Sequence, residues 1–159
     1  MAVYSSLTLK SDHDSLDPDK HVIESFSSRF ICPIAWRALF SSEQIYPESF
    51  IAVSPTTVAT QTLMKRNPVL SLAFGERWVD GIDHFFDRLG PLKYLELNLQ
   101  EWYGEPSEFE GHMQKEFEIF SEPFYTTKKS LLTRKPKINK RWRDYITLYE
   151  NDPIFGDIE

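Results

Sequence analysis

Residues 76–99 read ERWVDGIDHFFDRLGPLKYLELNL, and this stretch decides the fold class. Its first part carries large apolar residues at three- and four-residue intervals, which is the spacing of one face of an amphipathic helix. Gly90 and Pro91 end that helix. Across 93–99 apolar and polar residues alternate instead, as a half-buried strand requires. A helix followed by such a strand favours mixed α and β structure.

The flanking sequence extends this pattern in both directions. Alternation predicts a strand at 3–9, and a short apolar-rich segment predicts another at 49–53. Helical spacing predicts helices at 33–42, 106–120 and from Trp142 onward, and the start signal Ser54–Pro55 predicts one at 54–66. We therefore predict an α+β fold, with several amphipathic helices packed on a small, mainly antiparallel sheet. Chain length indicates a single compact domain over 1–159, with a mobile acidic loop at 11–20 and a basic segment at 124–143. The predicted core contains Trp78, Ile82, Phe86, Leu95, Leu97 and Phe117.

Charge is unevenly distributed along a chain whose net charge is -6. Residues 76–122 contain twelve acidic and four basic residues, whereas 124–143 contains eight basic residues and no acidic one. An acidic protein repels nucleic-acid phosphates and attracts basic partners, so we expect no nucleic-acid ligand. The basic segment is interpreted as packing over the acidic helices of its own chain or as a solvated arm. Aromatic residues are interleaved with the basic ones, so binding of a nucleic-acid backbone is the competing interpretation of this segment.

The sequence contains no recognisable catalytic or cofactor motif. Its six glycines match no phosphate-binding loop, and none of its four histidines lies in a hydrolase or zinc-protease motif. We therefore predict no catalytic residue and no cofactor. The single Cys32 lies in an apolar run, which is typical of a buried, unreactive thiol in a reducing compartment. With no signal peptide and no apolar run of about 18 residues, we expect a cytoplasmic protein without a membrane segment.

Asp80, Asp83, His84 and Asp87 form the most specific grouping of polar residues. They lie along one side of the helix predicted over 76–89. Carboxylates with one imidazole suit a divalent metal, which keeps a small metal-dependent hydrolase open as an alternative. The same residues are also what the solvated face of an amphipathic helix contains. Because one helix supplies too few ligands for a dedicated site, we predict no bound metal.

Three segments carry a resemblance to a known group: PIAWRALFS at 33–41, FGE at 74–76 leading through Gly81 to Leu89, and YLEL at 94–97 leading to Glu101. Across roughly residues 30–105, the chain resembles small acidic bacterial proteins of the polymorphic-toxin immunity type. The resemblance implies a non-enzymatic, cytoplasmic protein that binds and neutralises a toxin, and it transfers no catalytic residue.

The acidic helices 76–89 and 106–120 supply the predicted partner-binding surface, because a basic partner is drawn to a negative field. We expect the partner to be a basic toxin domain; a scaffold or regulatory subunit of a larger assembly is the other alternative to an immunity protein. The residues predicted to bind the partner are Asp80, Asp83, His84, Asp87, Glu108, Glu116 and Glu118.

Overall fold

The structure is a computed structural model, and it describes residues 4–11, 22–29, 32–90, 93–126 and 136–156. These residues form a five-stranded antiparallel sheet and five α-helices, which confirms the predicted α+β fold class. Apart from Ser11, the acidic loop predicted at 11–20 lies outside the described residues. The same is true of 127–135 in the basic segment.

The sheet has the alternating strand Tyr94–Asn98 at its centre. Its strands are β1 (Tyr4–Lys10), β2 (Val22–Arg29), β3 (Ile45–Tyr46), β4 (Ile51–Pro55) and β5 (Tyr94–Asn98), in the spatial order β2-β1-β5-β4-β3. Leu7 of β1 lies opposite Leu97 of β5, and Leu9 lies opposite Leu95. All four side chains are fully buried, so the alternation predicted for β5 is confirmed.

A long central helix joins the sheet to the other helices. The helices are α1 (Ile34–Ala38), α2 (Thr56–Phe74), α3 (Glu76–Leu89), α4 (Pro106–Ser121) and α5 (Lys140–Leu148). Helix α2 packs against β4 and β5 and also against each of the other four helices. The bounds predicted for α3 are confirmed, because its apolar spacing and the terminal Gly90 are both local signals.

The sequence predicted that helix α2 would end at Arg66, but the helix continues through Pro68 to Phe74. Proline removes the hydrogen bond to the carbonyl four residues earlier, here that of Met64. Both Met64 and Pro68 lie on the solvent-facing side of α2. Water can therefore satisfy the freed carbonyl, and the buried face of α2 holds the helix together beyond the proline.

The predicted core is confirmed except at one position of α3. Trp78, Ile82, Leu95, Leu97 and Phe117 are buried, but Phe86 is only partly buried. Phe85 occupies the buried position instead, with its ring centroid 5.3 Å from that of Phe155. The C-terminal segment covers this side of α3, so the buried face is turned toward Phe85.

Candidate functional site

Helix α3 presents a row of acidic residues to solvent. Asp80, Asp83, His84 and Asp87 are all exposed, because the opposite face of the helix is buried in the core. Asp80, Asp83 and Asp87 follow one another at intervals of three and four residues, so their carboxylates lie along one line of the helix surface. We call these three residues the α3 acidic row.

The α3 acidic row has no counter-charge from the described part of the chain. None of the described lysine or arginine side chains lies within ion-pair distance of Asp80, Asp83 or Asp87. Like charges three or four residues apart destabilise an isolated helix by about 0.2 to 0.5 kcal/mol per pair. The row therefore opposes helix stability slightly and leaves a negative surface open to a partner.

The acidic residues of α4 are arranged differently. Glu108 is exposed, whereas exposed Glu118 is paired with Arg141 of α5 at 2.9 Å. Arg141 also forms an ion pair with Glu122 just beyond α4. Within the described part of the predicted basic segment, Arg141 therefore pairs with acidic residues of its own chain. Arg141 thus neutralises the charge of Glu118, whereas no described cation neutralises the α3 acidic row.

Glu116 does not belong to an exposed acidic surface, and its predicted place there is wrong. Its side chain is only 4% exposed, and its carboxylate forms an ion pair with the buried Arg37 of α1. The hydroxyl of Tyr145 donates a second hydrogen bond to Glu116 Oε1 at 2.9 Å. Helix α4 turns this position toward the core because Met113 and Phe117 beside it are buried.

The buried ion pair sets the ionisation of its neighbours. Burial alone lowers the pKa of Arg37, but the adjacent Glu116 carboxylate raises it, and the net pKa lies well above the usual range. For Tyr145, whose hydroxyl is neutral when protonated, burial raises the pKa, and the negative Glu116 raises it further. Burial lowers the pKa of Arg66 to about 10, although its guanidinium donates to the backbone carbonyls of Ala38 and Phe40. Arg37 and Tyr145 thus hold the Glu116 carboxylate inside the core.

A small cavity lies beside this ion pair, between α1, α4 and the segments that follow β5 and α5. Its volume is about 100 Å³. Burial lowers the pKa of His112, which keeps its imidazole neutral at neutral pH. The lining residues are Cys32, Arg37, Leu99, Trp102, Tyr103, His112, Tyr149 and Asp152.

The described residues contain no group of three histidine, cysteine, aspartate or glutamate side chains that could hold a metal ion. Asp80, Asp83, His84 and Asp87 are therefore not brought together into a metal centre. Neither does this part of the chain contain a helix with the length and apolar character needed to cross a membrane.

No family model, curated protein or solved structure matches this chain. Its site must therefore be judged from its own residues. Sequence reasoning found the α3 acidic row but missed the cavity and the Arg37–Glu116 pair. A signal for the pair was present, because Arg37 is the one charge inside the apolar run at 33–40, and Glu116 lies at helical spacing from Met113 and Phe120.

Cys32 is expected to react very slowly with iodoacetamide in the folded protein. Burial raises the pKa of its thiol to about 12, so near pH 8 almost none of it is the reactive thiolate. We expect alkylation, followed by mass spectrometry, to be at least about 100-fold slower than in concentrated urea, where the thiol regains its ordinary pKa. Equal rates in the two conditions would show that Cys32 is accessible and ionisable in the folded chain.

Proposed function

We propose that this protein is a non-enzymatic binding protein that recognises a basic protein partner through the exposed face of α3. The observation that supports the proposal most strongly is the α3 acidic row, whose three carboxylates are exposed and unmatched by any described cation. Such a surface increases the rate at which a positively charged protein docks, because the long-range attraction guides diffusion.

Exposed apolar side chains on α3 and on the neighbouring α2 add to this proposal. Val79 of α3 is 55% exposed, and Met64 and Leu72 of α2 are 61% and 52% exposed. Specific protein interfaces combine apolar contacts with a charged or polar rim. Helix α3 offers both in Val79 and the α3 acidic row, and apolar contact would supply the slow dissociation that charge alone does not provide.

For the class of partner, we propose a basic toxin domain that the protein neutralises, as in immunity proteins. The acidic balance of the chain and the resemblance over residues 30–105 support this choice. A metal-dependent hydrolase has less support, because the described residues bring no metal-ligand group together. The proposed action is steric: the bound protein covers the working surface of the toxin.

A charge-reversal variant tests the proposed surface. The partner would be captured from the native host, purified, and its binding to Asp80→Lys, Asp83→Lys, Asp87→Lys measured by stopped flow at several salt concentrations. We expect the association rate constant at low salt to fall about tenfold or more, and its salt dependence to become flatter. The melting temperature is expected to change little, because exposed charges contribute little to stability.

A matched variant controls for the change in net charge. Glu43, Glu48 and Glu105 are also exposed, and none of them lies on α2 or α3. Replacing all three by lysine changes the charge by the same amount and is expected to leave most of the association rate intact. If both variants slow association equally, only net charge matters and the α3 surface is not the interface. If the captured partner is acidic, or does not inhibit growth when expressed alone, the toxin proposal fails.

A further inference from the structure

Four of the eight residues that line the cavity beside the Arg37–Glu116 pair have aromatic rings. Trp102 and Tyr103 follow β5, Tyr149 follows α5, and the neutral His112 comes from α4. Trp102, Tyr103 and Tyr149 are partly buried and pack against the core, so the fold fixes their positions. The faces of tryptophan and tyrosine rings carry negative charge density and attract cations that come within about 6 Å of the ring centre.

One carboxylate lines the same cavity. No described cationic side chain forms an ion pair with Asp152, although Arg77 donates to its backbone carbonyl at 2.7 Å and to that of Glu150 at 2.6 Å. These bonds tie the segment after α5 to α3 while leaving the Asp152 carboxylate free. We propose that this cavity binds a small cationic group, an alkylammonium or a guanidinium, between its aromatic wall and Asp152.

Arg37 also lines the cavity, but its charge is already matched. Its guanidinium is paired with Glu116 and lies 4.7 Å from the centre of the Tyr149 ring. Arg37 Nε and Trp102 Nε1 have no hydrogen-bond partner, yet both atoms are fully covered by protein and so do not reach a molecule in the cavity. Because Arg37 is paired with Glu116, Asp152 is the charged lining residue that no described ion pair matches, and its negative charge favours a cation over an anion beside it.

The volume limits the size of the occupant. An apolar protein cavity of about 150 Å³ accepts a benzene molecule, so about 100 Å³ has room for a group of roughly five non-hydrogen atoms. Tetramethylammonium and methylguanidinium both have this size. The same group occurs in a free amine and at the end of a lysine or arginine side chain of a protein partner.

Titration with small probes tests the proposal. Tetramethylammonium chloride and methylguanidinium chloride would be added to the full chain at neutral pH, and the indole N–H resonance of Trp102 followed by NMR. We expect a saturable shift with a dissociation constant in the millimolar range, about what a ligand of this size can reach. The neutral tert-butanol, of similar size, and acetate are expected to bind at least about tenfold more weakly. Equal binding of tert-butanol would overturn the proposal, and so would preferential binding of acetate.

Variants locate the binding in the cavity. Asp152→Asn keeps the shape of the side chain and removes the charge, and Trp102→Phe keeps a ring but weakens its attraction for cations; both are expected to weaken tetramethylammonium binding several-fold. Because Trp102→Phe removes the indole resonance, binding to that variant is followed through the Tyr149 ring protons, which report the same cavity. The matched controls are Asp144→Asn on α5 and Tyr46→Phe on β3, both at exposed positions. They are expected to bind tetramethylammonium as the unchanged protein does. A loss that is equal in the controls would contradict a site at Asp152.

A last comparison distinguishes the two sources of the cation. If an arginine-containing tripeptide binds and tetramethylammonium competes with the protein partner, the cavity receives a side chain of that partner. If the small cations bind without affecting partner association, the cavity is a separate site for a free amine. The variant with Asp80, Asp83 and Asp87 replaced by lysine should still bind tetramethylammonium, so the cavity and the α3 surface succeed or fail independently.

Discussion

Replacing Glu116 by alanine is expected to lower the free energy of unfolding by about 3 to 5 kcal/mol. The change would leave Arg37, whose side chain is 5% exposed, as a buried charge without a counter-ion. Tyr145 would lose the acceptor of its hydroxyl as well. Urea denaturation of the purified variant measures the effect, and a normal circular dichroism spectrum at low urea would show that the fold persists.

Two further variants show whether the buried pair is the cause. Glu118→Ala removes a glutamate from the exposed side of the same helix, where the ion pair with Arg141 is solvated, and should cost less than about 1 kcal/mol. The double variant Arg37→Met, Glu116→Leu removes both charges and should recover most of the stability lost in Glu116→Ala. Similar losses for Glu116→Ala and Glu118→Ala would mean that the pair does not hold α1 to α4.

Replacing Phe85 by alanine is expected to cost about 3 to 5 kcal/mol, because the change leaves a cavity in the core. Phe85 is 1% exposed and its ring contacts that of Phe155. Its neighbour Phe86 offers a matched control, since the same substitution there removes a ring that is only partly buried. Thermal and urea unfolding of both variants should rank Phe85→Ala as clearly the more destabilised. If Phe86→Ala were the more destabilised variant, α3 would bury Phe86, as predicted from its sequence, and not Phe85.

The elements with a strong local pattern could be predicted well. Helix α3 and strand β5 match their predicted positions, because their apolar residues repeat with the period of one structure and lie next to turn residues. Helix α4 was recognised for the same reason. The sequence did not predict strand β2, because five of the eight residues in VIESFSSR over 22–29 are polar and the stretch does not alternate cleanly. It becomes a strand because it pairs along the whole length of β1.

The acidic residues show the same division at the candidate site. The row at Asp80, Asp83 and Asp87 followed from spacing, since the apolar face of α3 leaves these positions no place but the surface. Glu116 could not be placed in that way, because glutamate is rarely buried unless it is paired. Its partner Arg37 is 79 positions away in sequence, so the local signal that each residue is buried does not show that the two residues pair with each other.

By itself, the sequence determined the α+β class, the positions of α3 and α4, the alternation of β5, the acidic balance and the absence of any recognisable catalytic motif. Only the tertiary structure decided the sheet order, the burial of Glu116 and the convergence of Trp102, Tyr149 and Asp152 on one cavity. The physical reason is distance along the chain. Periodicity fixes which way a side chain faces within its own element, whereas strand pairing, ion pairing and cavity walls depend on which distant segment packs opposite.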